Sequence, residues 1–266
     1  MSWPAMVACD MSNSSTITLK QNIETNQFGD RMRIALLEDD VAVGLAMQQW
    51  LEAAGHVVHN FTSGKSIVRE AARESFDLFM LDWHVPDLSG EEVLRWLREK
   101  QQSTVPVLFA TSRDAESDIV SALKAGADDY MVKPVRRFEL LARVESLLRR
   151  TRAKDSDAEP IVIGPYLVNL VDRVVTLDGM PIEMTDKEYE LTVFLFRNIG
   201  RLISRGHISE SVWGRTTDIQ SRTVDTHVSR MRKKLELGPS HGLRLTPVYN
   251  FGYRLEKVRV PDELPV

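Results

Sequence analysis

Residues 76–90 read FDLFMLDWHVPDLSG, and the order of residue types in that stretch decides the fold of the first half of the chain. A short apolar run, Phe76–Leu81, stops at Asp82. Pro86 and the pair Ser89-Gly90 then mark a loop, and positions 89–101 place apolar residues at helical spacing. A buried strand ending in a carboxylate, then a loop, then a helix makes one βα unit. The unit recurs on both sides. Arg33–Leu37, Val57–Phe61, Val105–Ala110 and Asp128–Val132 are the other predicted strands, and 41–54, 64–73, 114–125 and 136–150 the other helices. Five such units predict a five-stranded, parallel, doubly wound α/β sheet with helices on both faces. Ligands of these sheets bind at the carboxyl ends of the strands, which says where chemistry should be sought.

Those ends carry a consistent set of residues. The first strand runs into Glu38-Asp39-Asp40, the third into Asp82, the fourth into Thr111 and the fifth into Lys133-Pro134. Carboxylates gathered at one edge repel one another and are costly to bury uncompensated. A divalent cation resolves the conflict, and Mg²⁺, which takes oxygen ligands from one or two carboxylates and keeps several waters, suits it. Asp82 is then placed to act as a carboxylate nucleophile toward a phosphoryl group. Lys133 would pair with one phosphoryl oxygen and the Thr111 hydroxyl would hydrogen-bond another. Taken singly, each residue has a plainer reading: a solvated acidic loop, Asp39 or Asp40 capping the helix that begins at Val41, a surface Lys-Pro turn. Their joint occurrence at strand ends, in order, favours the chemical reading.

LLEDD, FDLFMLDWHVPDLSG, FATS and GADDYMVKP resemble the receiver domain of two-component response regulators, a flavodoxin-like fold, over residues 32–150. The resemblance implies that Glu38 and Asp39 are the metal-binding acidic pair, joined on Mg²⁺ by Asp82 and by the backbone carbonyl of His84. It makes Asp82 the phosphoacceptor, Thr111 and Tyr130 the switch pair, and Lys133 the phosphoryl-binding lysine. Trp83-His84 replaces the family's aliphatic pair and Val135 a frequent phenylalanine, both read as packing variation. On helix 136–150, Leu140, Val144 and Leu147 form an apolar stripe. In the OmpR/PhoB subfamily the opposite face joins two receivers after phosphorylation. Asp129, Glu139 and Arg143 match that dimer interface, whereas the usual arginine partner of Glu139 is Ile119 here.

The chain as a whole is consistent with two domains. Its 266 residues exceed ordinary single-domain size, and 43% hydrophobic with 27% charged residues is typical of chains that build cores. Residues 1–31 are polar and aperiodic, expected to be a disordered extension or a misassigned start ahead of Met32. TRAKDSDAE at 151–159 reads as a linker, 160–258 as a second domain and 259–266 as a tail. Cys9 is the single cysteine, which excludes an intramolecular disulfide and fits a cytoplasmic protein. No run of eighteen apolar residues spans a membrane. The net charge of −4 is uneven: residues 31–150 hold 16 basic and 19 acidic side chains, residues 160–258 hold 14 basic and 11 acidic. A basic half suits a polyanionic partner.

In the second domain, segment 221–237 (SRTVDTHVSRMRKKLEL) is the most informative. Val224, Val228, Met231 and Leu235 form one stripe at 100° per residue; Arg222, Thr226, Ser229, Arg230 and Lys233 lie opposite, flanked by Thr223, His227 and Lys234. Arginine, lysine and small hydroxyl residues with almost no acid fit a major groove; a solvated basic face is the plainer reading. MTDKEYELTVFLFRNIGRLISR, VWG, SRTVDTHVSRMRKKL and FGYRL resemble the OmpR/PhoB effector domain over 160–258, an α+β winged helix-turn-helix. The resemblance implies that helix 221–237 enters the major groove, that hairpin 243–256 is the wing, and that the 214–221 loop is where RNA polymerase would touch. Tyr249 and Asn250 stand where the family has arginine and glycine in the wing, with Arg244 and Arg254 as partial substitutes. Together the two resemblances predict a non-enzymatic regulator. A sensor histidine kinase phosphorylates Asp82, the receiver forms a homodimer, and two effectors bind tandem half-sites in promoter DNA. The alternatives are a phosphorylation-independent transcription factor with a vestigial receiver, a phosphotransferase using Asp82, and a receiver acting only on proteins. The phosphotransferase lacks the acid/base carboxylate two residues after the nucleophile, where His84 stands.

Overall fold

A computed structural model of the chain describes residues 31–151, 159–214 and 221–259. The predicted N-terminal extension, most of the linker, the loop assigned to RNA polymerase and most of the tail lie outside the described residues.

The first unit contains β1 (Arg33–Leu37), α1 (Val41–Ala53), β2 (Val57–Phe61), α2 (Gly64–Ala71), β3 (Leu78–Leu81), α3 (Gly90–Glu99), β4 (Val107–Thr111), α4 (Glu116–Lys124), β5 (Asp129–Val132) and α5 (Arg137–Thr151). The strands pair in parallel in the order β2-β1-β3-β4-β5. Alternation of side chains across the sheet divides the core in two. Ile34, Leu36 and Met80 meet Met47 and Leu51 of α1 and Leu140, Val144 and Leu147 of α5. Ala35, Leu37 and Leu81 meet Ile67 of α2, Val93, Leu94 and Leu97 of α3 and Ala122 of α4. Every residue of β1, β3 and β4 is buried, as a sheet covered on both faces requires.

Two boundaries differ from expectation for local reasons. Pro106 has no N–H for the ladder, so β4 starts at Val107, and it runs on through Thr111 because that residue pairs with Val132. β3 starts at Leu78 because the Asp77 side chain accepts the Arg33 backbone N–H at 2.9 Å. Helix starts explain the loops at the other edge. Asp40 caps α1, accepting from Ala42 N at 2.9 Å and Val43 N at 3.1 Å, which contributes about 1 kcal/mol. Asp39 is thereby left out of the cap. Ser89 and Glu92 form a capping box on α3. Gly90 must be glycine there, since a Cβ would come 2.1 Å from the carbonyl oxygen of Asp82.

The second unit begins with an antiparallel sheet of β6 (Ile161–Ile163), β7 (Tyr166–Asn169), β8 (Val174–Leu177) and β9 (Met180–Ile182). Then come α6 (Asp186–Arg197), β10 (Leu202–Ser204), α7 (Arg205–Trp213), α8 (Ser221–Lys234), a 3₁₀ turn at Pro239–His241, β11 (Leu243–Val248) and β12 (Gly252–Lys257). The last three strands form a sheet ordered β10-β12-β11. One core joins both sheets to the three helices. α8 ends three residues earlier than its periodicity predicts. Glu236 adopts φ +49°, and the Tyr166 hydroxyl donates to the Leu235 carbonyl at 2.8 Å, satisfying a helix-end acceptor. This is a winged helix-turn-helix: three helices with a two-stranded hairpin behind the last of them. Among the described residues no helix is long and apolar enough to cross a membrane.

Candidate functional site

The carboxyl edge of the parallel sheet gathers four of the predicted residues. Lys133 Nζ, just beyond β5, lies 2.6 Å from Asp82 Oδ2 and 2.7 Å from the Glu38 carboxylate. Glu38 and Asp82 are 3% and 6% exposed, Thr111 is fully buried at the end of β4, and Asp39 faces solvent. Glu38, Asp39 and Asp82 each present a carboxylate oxygen, all within 4.8 Å of one another. The edge lies where β1 is flanked by β2 on one side and β3 on the other, the point at which an open α/β sheet forms its crevice.

The electrostatics follow from this crowding. Burial, and secondarily the neighbouring Asp82 charge, raises the Glu38 carboxyl above its ordinary value although Lys133 opposes them. Burial alone would depress the Lys133 ammonium, but hydrogen bonds to Asp82 and Glu38 outweigh it and raise its pKa. One cationic group thus serves two buried carboxylates. Glu38 Oε2 is buried without a hydrogen bond. Hard oxygen donors, a buried acceptor still unsatisfied, and Asp39 open to water are the donor set that Mg²⁺ fits.

Above the acids is an open cleft of about 450 Å³ lined by Asp39, Trp83, His84, Val85, Pro86, Ser89 and Arg113. Arg113 escaped the sequence reading. Its guanidinium stacks 4.9 Å from the Trp83 ring centroid and comes within 3.4 Å of His84 Nε2. Its position two residues after Thr111, at a strand's carboxyl end, was the available signal. The His84 side chain lies with Arg113, outside the acidic cluster. Tyr130 is packed inward, its hydroxyl donating to the Arg113 carbonyl at 2.7 Å.

In the second unit, α8 buries Val224, Val228, Met231 and Leu235 in the core. It exposes Arg222, Thr223, Thr226, Ser229, Arg230 and Lys233, with His227 half-buried against Trp213. Lys234 differs from its neighbours. Its Nζ is bound to Glu188 Oε2 at 2.7 Å, which pins α8 to α6. The lone acid of the helix's middle, Asp225, is also engaged, accepting from Arg205 Nε at 2.8 Å and from the Tyr253 hydroxyl at 2.6 Å. The exposed face is therefore basic by more than composition suggests. Behind it the hairpin turns at Asn250, which takes φ +55° where a glycine would be expected, and presents Tyr249 at 91% exposure. Arg244 and Arg254 each come within 3.6 Å of Glu256.

Two family models match the chain: the response regulator receiver domain over residues 34–145, and the C-terminal domain of transcriptional regulatory proteins over 179–255. The sensory transduction protein RegX3 of Mycobacterium tuberculosis is 35% identical over 225 residues, covering 84% of this chain and 98% of RegX3. The phosphate regulon transcriptional regulatory protein PhoB of Pseudomonas aeruginosa is 33% identical over 222 residues, covering 83% and 96%. The chain belongs to the OmpR/PhoB-type response regulators. Among solved structures, the Thermotoga maritima OmpR/PhoB homolog DrrB is similar at 28% identity and a TM-score of 0.42, covering 85% of this chain and 99% of DrrB.

As an OmpR/PhoB-type response regulator the chain is a two-component transcriptional regulator with a receiver and a DNA-binding domain. The residues singled out for a receiver dimer are paired within one chain. Arg143 Nη1 contacts Asp129 at 3.0 Å, and its Nη2 contacts Glu139 at 2.9 Å. Ile119, in place of the family's arginine, packs half-buried against the core face that includes Tyr130.

Proposed function

We propose that this response regulator is switched by phosphorylation of Asp82 and acts in the cytoplasm on promoter DNA. The observation that carries the reading is the ion-pair bridge from Lys133 to both Glu38 and Asp82 at a sheet edge that also holds Asp39 and Thr111. An Asp82 carboxylate oxygen attacks the phosphorus carried by a sensor histidine kinase. The phosphorus–nitrogen bond breaks, and the imidazole leaves with the bonding pair. Bound by Glu38, Asp39, Asp82 and the His84 carbonyl, Mg²⁺ would neutralise phosphoryl charge. Lys133 leaves Asp82 for a phosphoryl oxygen, and the Thr111 hydroxyl donates to another. Tyr130 sits inside the core in the position that an engaged Thr111 leaves open to it. The protein is a phosphoryl acceptor and not an enzyme acting on a separate substrate.

The receiver then self-associates through the face bearing Asp129, Glu139 and Arg143. Two effectors engage tandem half-sites, with Arg222, Thr223, Thr226, His227, Ser229, Arg230 and Lys233 at the major groove and Lys234 buttressing the helix. Linking two weak binders raises affinity through effective concentration without new contacts. RNA polymerase is the partner expected at the promoter.

The test is a mobility-shift selection against genomic fragments with and without a small phosphodonor and Mg²⁺, run beside Asp82→Asn. Wild type should take up one phosphoryl group and gain specific binding, and Asp82→Asn should do neither while unfolding at the wild-type temperature. Phosphoryl uptake that survives the substitution places the acceptor elsewhere.

A further inference from the structure

The receiver and effector meet at the edge of the parallel sheet opposite the phosphorylation pocket, through side chains that are buried only because both units contribute. His207 of α7 is wholly buried, and both of its ring nitrogens are engaged by the receiver: Nε2 lies 3.0 Å from Asp77 Oδ2, and Nδ1 lies 2.8 Å from Ser75 Oγ. Ser204, the cap of α7, exchanges hydrogen bonds with Ser75: its N–H donates to Ser75 Oγ at 3.0 Å, and the Ser75 N–H donates to Ser204 Oγ at 3.2 Å. Arg201 donates to Asp77 Oδ1 at 3.1 Å and to the Phe76 carbonyl at 3.1 Å. Arg33, at the start of β1 and 5% exposed, reaches both Glu74 at 2.6 Å and Glu210 of the effector at 2.9 Å. Gly206 stands against Glu74, whose carboxylate oxygen would lie 2.5 Å from an added Cβ.

Buried polar contacts of this kind fix registry more than they add stability. Each donor has one partner geometry, so the two units cannot slide over one another while it persists. Meanwhile Arg222, Thr226, Ser229, Arg230 and Lys233 remain exposed, and so does the face of Arg143 and Glu139. The clasp therefore covers neither the DNA-reading surface nor the self-association surface. What it constrains is their relative orientation. If two receivers pair about a two-fold axis while both clasps stay shut, the two effectors are related by that same axis and present themselves to inverted half-sites. Half-sites in tandem are related by a translation and a rotation along the DNA, which a two-fold axis cannot produce.

We propose that the Asp77–His207 clasp is an autoinhibitory contact that restricts the orientation of half-sites the protein can occupy, and that it opens in at least one copy when tandem sites are bound. The inference rests on the reading of this protein as a receiver dimer on tandem DNA. Closing the clasp permits single or inverted half-sites. Opening it, with the linker as tether, permits direct repeats.

Ser75 Oγ and Ser204 Oγ are 3.3 Å apart, so a cysteine at each position can lock the clasp by oxidation. The experiment uses full-length Ser75→Cys/Ser204→Cys protein in a Cys9→Ser background, since Cys9 is the only native cysteine. Mild oxidation should give an intramolecular disulfide in most of the unphosphorylated protein; a pair that does not close overturns the clasp. Oxidised and reduced forms, each treated with phosphodonor, are then used to select duplexes from a random-sequence library. Reduced protein should enrich direct repeats, while oxidised protein should bind those selected duplexes at least tenfold more weakly and enrich single or inverted half-sites. Equal binding of direct repeats by both forms overturns the proposal. Because cysteine could itself disturb the junction, Asp77→Asn is run in parallel: without phosphodonor it should bind the selected direct repeats several-fold more tightly than wild type, and no gain counts against the proposal. If reduced protein enriches no DNA at all, the functional reading fails, and the crosslinking yield still decides whether the clasp exists.

Discussion

Lys133 and Asp82, 51 residues apart in sequence, are joined by a 2.6 Å ion pair, and the same ammonium holds Glu38 at 2.7 Å. One positive charge thus offsets two buried negative ones, an arrangement with an unmet demand for a second cation. Its consequences can be measured without any DNA or kinase.

Lys133→Met should leave Glu38 and Asp82 facing each other uncompensated and lower receiver stability on the order of 1–3 kcal/mol. Millimolar Mg²⁺ should then raise the melting temperature of the variant more than that of wild type. An equal response to Mg²⁺ in both would mean that the cation does not bind at these carboxylates.

Glu188 gives a pH dependence with a definite sign. Burial would raise its carboxyl, but the Lys234 ammonium and the Thr185 N–H together hold it below its ordinary 4.5. Its contribution to effector stability is complete above that value and disappears as pH falls through the lower folded value. Glu188→Gln should therefore be less stable than wild type near neutrality, with the gap closing between about pH 5 and pH 3. Chemical denaturation at a series of pH values checks it, and a constant gap refutes it.

Arg230 lies exposed in the middle of the basic face, clear of any acid that could neutralise it. Arg230→Ala should weaken binding to the selected operator by about 1–3 kcal/mol and binding to unrelated DNA by less. Equal loss on both would make it a phosphate contact.

The wing predicts a gain. Tyr249 is 91% exposed at the hairpin tip, and the nearest wing arginines share Glu256. Tyr249→Arg should add one phosphate contact and steepen the salt dependence of binding by about one counterion. Titrations at several salt concentrations would show an unchanged slope if the tip stays clear of DNA.

Much of this was legible in the sequence because the decisive residues fall where a pattern stops. Glu38, Asp82 and Lys133 each follow an apolar run, so a parallel sheet necessarily carries them to one edge. Val224, Val228, Met231 and Leu235 define their stripe by periodicity alone. The residues that escaped notice have no such marker. Asp77 and His207 are 130 positions apart and meet across two units, so no spacing announces them. Lys234 reads as one more basic residue on α8 until a folded α6 sets Glu188 beneath it. Asp40 and Asp39 looked interchangeable as caps, and only the backbone geometry assigned the cap to Asp40 and freed its neighbour.

The Arg143 side chain bears on how readily two copies of this protein associate. Its guanidinium already holds Asp129 and Glu139 at home. A second copy offering the same two carboxylates can only trade one partner for another, so that meeting gains little enthalpy and is nearly isoenergetic. Self-association through this face is therefore governed by local crowding: adjacent operator half-sites that hold two molecules side by side accomplish what the bare surfaces, at cellular dilution, do not.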